Sequence, residues 1–348
     1  MWGNLRHYSA RAPSRVGVAG AAPRRQEMAQ VTARETFLGA IAVASVLVHL
    51  YCVRRFRRLH RAEMARMRLE CPPRQPPRSE DASAAADLSG KVVLITGAAQ
   101  GLGLACARSA NAAGAAALVL CDRNAERGLV AAQEIEACGC QCLFVCCDVG
   151  VPAQVAAAVA AADERFGRID CLVNAAGDTR RADLESTSVE LFDALIAVNL
   201  RAPFLFTQAV SKVMRREGRG GAIVNVASVQ AAGGLTCCMA YAAAKGGLLT
   251  LTRNNAAALG PHGIKVNALN MGWTATDNEH ALQLSLGQGP AWLESADRLS
   301  AIGRICRPDD VARAVVFLLA GAHCTGSVLE LHPEHIPGML GAGVGAAK

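Results

Sequence analysis

From Lys91 to Leu331, short apolar runs rich in Val, Leu and Ile alternate with longer Ala-rich stretches. A β-branched run of four to eight residues bounded by turn residues reads as a buried strand. Apolar positions recurring every three or four residues read as a helix. Strands are predicted over 92–96, 117–122, 141–148, 171–174, 222–227, 265–269 and 328–331. Helices are predicted over 103–113, 125–137, 151–166, 188–216, 240–259 and 308–319. Strict alternation of this kind predicts βαβ units, and hence an α/β protein with a doubly wound parallel sheet in three α/β/α layers.

The first 87 residues break the pattern. Residues 1–36 form a basic leader with no acid before Glu27. Residues 37–53 carry no charge, which predicts a candidate membrane anchor at the short end of what spans a bilayer. Arg54, Arg55, Arg57, Arg58 and Arg61 follow at once. By the positive-inside rule they would hold the rest of the chain on the cytosolic side. A mitochondrial presequence is the competing reading of the basic leader. Residues 54–87 complete a basic, Pro-rich linker, residues 88–335 form the folded domain, and 336–348 are a Gly/Ala-rich tail.

Composition narrows the function. Of 348 residues, 52% are hydrophobic, which excludes a disordered chain. The net charge of +7 suggests nucleic acid until it is placed. Residues 1–90 hold 15 Arg and 7 acids, and the other 258 residues sum to −1. The excess therefore belongs to the leader and the Arg cluster, and no nucleic-acid partner is expected. The 14 Cys lack a metal-ligand spacing and are expected to act as small hydrophobes, with no metal.

Three constellations carry chemistry. Thr96-Gly97-Ala98-Ala99-Gln100-Gly101-Leu102-Gly103 is a Gly-rich turn between a strand and a helix, where backbone N–H groups can meet a pyrophosphate. Asp122 ends the second strand 19 residues later. An acid there accepts from a ribose 2′-hydroxyl and repels a 2′-phosphate, so NAD is expected over NADP, although Arg123 follows it. Tyr241 and Lys245 stand one helical turn apart, and a neighbouring ammonium is expected to lower the phenol pKa. Tyr241 is the one tyrosine of the predicted domain. Ser228 ends a strand 13 residues before it, placed to hold a substrate oxygen.

In combination these motifs resemble the short-chain dehydrogenase/reductase family, over essentially residues 88–332. The resemblance implies a Rossmann fold and an NAD(P)-dependent oxidoreductase acting on CH–OH groups. It implies cofactor contacts at Asp148 and Val149, at Asn174, Ala175 and Gly177 in Asn-Ala-Ala-Gly, and at Gly272, Thr274 and Thr276, besides Tyr241 and Lys245. It implies a catalytic tetrad: Tyr241 as general acid/base, Lys245 tuning it and holding the nicotinamide ribose, Ser228 orienting the substrate, and Asn199 supporting a water-linked relay. It also implies a homodimer or homotetramer built through the helices near Ser188 and Ala240. Two departures stand out. Met271-Gly272 replaces the usual Pro-Gly, which is expected to loosen the backbone, and His332-Pro333-Glu334 replaces a terminal Asp-Gly-Gly.

Residues 277–300 occupy the place of the family's variable substrate lid. Their mixed polarity, with Arg181, Gln230 and Glu279 as candidate substrate contacts, leans toward a small polar polyol or sugar. The competing activities are a 3-oxoacyl or steroid/retinoid-type reductase and, in another class, a silent membrane-tethered NAD-binding sensor.

Overall fold

The computed structural model describes Tyr51, Arg54, Arg55, Arg58, residues 86–321 and residues 323–332. Contacts divide the chain into two units, 1–72 and 73–348. In the first, the four described residues are helical, and the Arg55 guanidinium donates to the Tyr51 phenol at 3.4 Å. Among the described residues no helix is long and apolar enough to cross a membrane. Of the predicted anchor only Tyr51 is described. The leader, most of the linker and the tail lie outside the described residues.

The second unit contains strands β1 (Val92–Thr96), β2 (Ala117–Asp122), β3 (Gln141–Cys146), β4 (Cys171–Asn174), β5 (Gly221–Val226), β6 (Ile264–Met271) and β7 (Val328–Leu331). They form one parallel sheet in the order β3-β2-β1-β4-β5-β6-β7. The order reverses between β1 and β4, which is where a doubly wound sheet opens a binding crevice at its C-terminal strand ends. Alternate residues of each strand face opposite layers. Val93 and Ile95 pack with one set of helices, α1 (Gly101–Ala112), α2 (Ala125–Ala137) and α9 (Pro308–Ala320). Leu94 packs with the other, α3 (Pro152–Phe166), α5 (Ala202–Glu217) and α6 (Met239–Leu259). Buried cysteines such as Cys106, Cys121 and Cys171 fill these layers as free thiols, and burial pushes Cys106 and Cys171 up to about 12.

The structure adds to or departs from the sequence reading at three places. The helix over 188–216 is broken into α4 (Val189–Ile196), a π-turn (Ala197–Arg201) and α5. Pro203 has no N–H to give to the carbonyl four residues back, that of Asn199, and Ala202 N–H reaches instead to Ala197 O. The lid region holds two helices, α7 (Asp277–Ser285) and α8 (Trp292–Leu299), around a small core of Trp292, Ala296 and Ile305. Replacing proline by Met271 does not loosen the end of β6. Met271 pairs with Leu331, and Gly272 N–H bonds to Leu331 O at 2.9 Å, because methionine can continue the ladder that proline would end.

Candidate active site

The Gly-rich turn follows β1 as predicted, and glycine is required there for two separate reasons. Gly97 has φ +69°, and a Cβ on it would stand 2.8 Å from Ala176 Cα. A Cβ on Gly103 would stand 2.1 Å from Gly97 O, so α1 seats on the turn only without a side chain. Gln100 occupies the N-cap of α1 and makes no cap hydrogen bond. Its amide turns outward, donating to Asn278 Oδ1 at 3.0 Å and accepting from the Arg127 guanidinium. Among the described residues, no side chain bonds to the N–H groups of the first turn of α1, which includes Leu102, the arrangement an anionic pyrophosphate needs.

Asp122 is half-buried beside this turn. One carboxylate oxygen accepts from Ala99 N–H at 3.1 Å and the other from Asn124 N–H at 2.9 Å. Each oxygen keeps acceptor capacity for a ribose hydroxyl. Asp148, with Val149 buried after it, accepts from Gly150 N–H at 2.8 Å and shapes the loop after β3. The donor and acceptor set fits a dinucleotide.

Several of the residues expected at the cofactor also make hydrogen bonds inside the protein. The Thr96 hydroxyl, 2% exposed, accepts from Ala175 and Ala176 N–H, both at 3.1 Å, and so ties the β4 turn to β1. The Asn174 side chain donates to Asn225 Oδ1 at 2.8 Å, and Asn225 donates to Thr252 Oγ1 at 2.9 Å, a polar chain linking β4, β5 and α6. Thr274 is buried and donates to Gly272 O at 3.0 Å. Thr276 caps α7, accepting from Glu279 N–H at 3.1 Å. Motif matching identified positions near the crevice, but it cannot tell a side chain that meets a ligand from one that holds the loop.

The same holds for Asn199. It is fully buried in the π-turn. It accepts from Asp178 N–H at 3.2 Å and donates to Asp178 O at 2.9 Å and Leu195 O at 3.1 Å. Its amide therefore fixes the segment after Gly177.

Ser228, Tyr241 and Lys245 do converge. The Ser228 hydroxyl accepts from Gln230 N–H at 3.2 Å and lies near the Tyr241 phenol, whose pKa it pulls down. Lys245 is 4% exposed, donates to Val226 O at 2.7 Å, and lies 5.7 Å from the centroid of the Tyr241 ring. Burial pushes the Tyr241 phenol up to about 12, against a downward pull from Ser228. Burial also brings the Lys245 ammonium down to about 8.

Of the candidate substrate contacts, Arg181 and Glu279 meet at 3.5 Å, and the buried Gln230 Oε1 has no partner among the described residues. Sequence reasoning missed Trp273, whose Nε1 donates to Glu279 at 2.7 Å, and Gln283, which donates to the same oxygen at 2.6 Å. The i, i+4 spacing of Gln283 from Glu279 becomes informative only once α7 is known to be a helix, and Trp273 reaches Glu279 from the loop before it.

Fold and site together define a dinucleotide-binding oxidoreductase of the CH–OH type. The profile of the short chain dehydrogenase family matches residues 91–286, and the chain belongs to that family, whose members bind NAD(P). It is 39% identical over 235 residues to D-threitol dehydrogenase of Mycolicibacterium smegmatis, covering 68% of this chain and 88% of that protein. It is 37% identical over 237 residues to galactitol 2-dehydrogenase of Agrobacterium fabrum, covering 66% and 91%. The solved structure of levodione reductase superposes with a TM-score of 0.66 at 34% identity, covering 71% of this chain and 97% of that one.

Proposed function

We propose that the protein is an NAD-dependent dehydrogenase that converts a secondary hydroxyl of a small polyol or sugar to a ketone. The observation that carries this reading is the convergence of Ser228, Tyr241 and Lys245 after β5, on a sheet whose Gly-rich turn and half-buried Asp122 lie at the ends of β1 and β2. Relatives that act on threitol and galactitol support the substrate class.

NAD, when bound, supplies the hydride acceptor. The protein supplies position and proton transfer. Ser228 holds the substrate oxygen. Tyr241 takes the hydroxyl proton as the ketone forms and returns one in the reverse direction. Lys245 spends one of its three donors on Val226 O and keeps two for the nicotinamide ribose and for stabilising tyrosinate. Asn199 keeps the loop after β4 in place. NAD reduction followed at 340 nm with a panel of polyols tests the reading. Tyr241→Phe is expected to lose about 10²–10⁴ in kcat. Unchanged turnover would defeat it.

The exposed Leu284, Leu286, Leu299 and Ile302 around the lid favour a second reading, an apolar ketone of the steroid type. Steroid and acyl-thioester substrates with NADP belong in the same panel. We also propose assembly of copies through α4 and α5, where Val189, Phe192 and Phe204 are exposed, tested by light scattering. Cytosol-facing membrane attachment through residues 37–53 is proposed as well, and fractionation with and without residues 1–70 tests it.

A further inference from the structure

Glu279 stands out among the carboxylates near the site because its two oxygens have unequal work. Its side chain is 13% exposed. Oε1 accepts from Trp273 Nε1 at 2.7 Å, from Gln283 Nε2 at 2.6 Å and from Arg181 at 3.5 Å. Oε2 has no partner among the described residues, yet it is not one of the sealed, unpaired polar atoms. One oxygen is saturated and fixes the carboxylate. The other is open.

The position of this carboxylate relative to the reacting centre follows from backbone contacts. Cys238 caps α6 one turn before Tyr241 and pairs as a parallel bridge with Ala182. Arg181, next to Ala182, reaches across to Glu279 on α7. The Ala182–Cys238 bridge and the Arg181–Glu279 contact together bring α7 close to the start of α6. The lid helix therefore carries a fixed anionic acceptor near the turn of α6 that holds Tyr241. A carboxylate with its donors on one oxygen is costly to desolvate unless the other oxygen also finds a donor.

We propose that Glu279 determines specificity by accepting, through Oε2, a hydrogen bond from a second hydroxyl of the substrate. The inference rests on the polyol reading and deepens it. It assigns Glu279 the task of distinguishing a polyhydroxylated alcohol from a simple one. Arg181, Trp273 and Gln283 act through Glu279, holding its Oε1 so that Oε2 points one way.

The test compares kcat/KM for D-threitol and butan-2-ol in the full chain and in Glu279→Gln. Glutamine retains an oxygen for the Trp273, Gln283 and Arg181 donors, so the lid has the means to stay folded. Unchanged tryptophan fluorescence checks this, because Trp273 and Trp292 stack with ring centroids 5.7 Å apart in the lid. The expected result is a fall in kcat/KM for threitol about tenfold greater than that for butan-2-ol, mostly in KM. Equal falls on both alcohols, or no fall on either, overturn the role of Glu279 while leaving the polyol reading standing. Turnover of butan-2-ol by the unmodified protein with no polyol accepted overturns that reading, and this inference with it. If the lid fluorescence changes, Arg181→Met provides the second variant. It leaves the carboxylate and removes one of its holders, and selectivity for threitol is expected to drop. Unaltered selectivity in that variant overturns the proposal.

Discussion

Lys245 gives its shortest hydrogen bond, 2.7 Å, to the backbone carbonyl of Val226, so the ammonium is anchored to the end of β5 while facing the Tyr241 ring. The charge is positioned by the sheet rather than by the phenol. Tyr241 then titrates according to its burial. In the protein alone, the 295 nm absorbance difference between wild type and Tyr241→Phe is expected to stay flat through pH 10 and to rise only toward about 12. A midpoint at or below 10 would contradict this account of the phenol.

Burial has the opposite effect on Lys245. Its folded pKa of about 8 lies below the ordinary value of 10.5. Between those two values the unfolded chain binds more protons than the folded one, so this group makes stability rise with pH. Below about 8 the penalty is complete, and above 10.5 it is gone. Urea unfolding at pH 7.5 and 9.5 is expected to show wild type gaining on Lys245→Met by about 1 kcal/mol per pH unit. A pH-independent difference would sink the idea.

Gly103→Ala places a methyl 2.1 Å from Gly97 O, inside any tolerable contact. Either α1 or the turn must move. The expected cost is about 1–3 kcal/mol in stability, together with a clear loss of dinucleotide affinity. Thermal melts and NADH fluorescence titration measure the two effects, and intact affinity would show that the close seating of α1 is dispensable.

At Asp122 the prediction concerns selectivity. Asp122→Ser removes the charge that would face a 2′-phosphate, with Arg123 and Arg127 exposed nearby. The ratio of kcat/KM for NAD to that for NADP is expected to fall by about tenfold or more. A wild-type enzyme that already prefers NADP would refute the argument.

The sheet was legible in sequence because its strands are buried on both faces and read as unbroken runs of Val, Leu and Ile, as in β1 and β2. The turn and the Ser228, Tyr241 and Lys245 set were legible because their residue types and spacings are specific in combination. The lid was not. Its helices α7 and α8 are short, and what holds them is a set of individual contacts: Trp292 to His280 at 2.8 Å, and Trp273 and Gln283 to Glu279. No periodicity announces such contacts. Nor could a motif reveal the internal partners of Thr96, Asn174 and Asn199, since these depend on where neighbouring backbone groups stand. The burial of Lys245 was not legible either, because burial is a property of the fold and two residues four apart do not display it.

The wide turn at Ala197–Arg201 has a geometric result for the whole helical layer. One added residue in a turn advances the angular phase of everything after it by about 100°. The segments before and after it therefore address different neighbours: α4 lies along α6, and α5 lies along α3. A single continuous rod could not do both with the same stripe of side chains. Asn199 and Pro203 thus act as a phase shifter, letting one stretch of chain serve the surroundings of Tyr241 at one end and the packed sheet at the other.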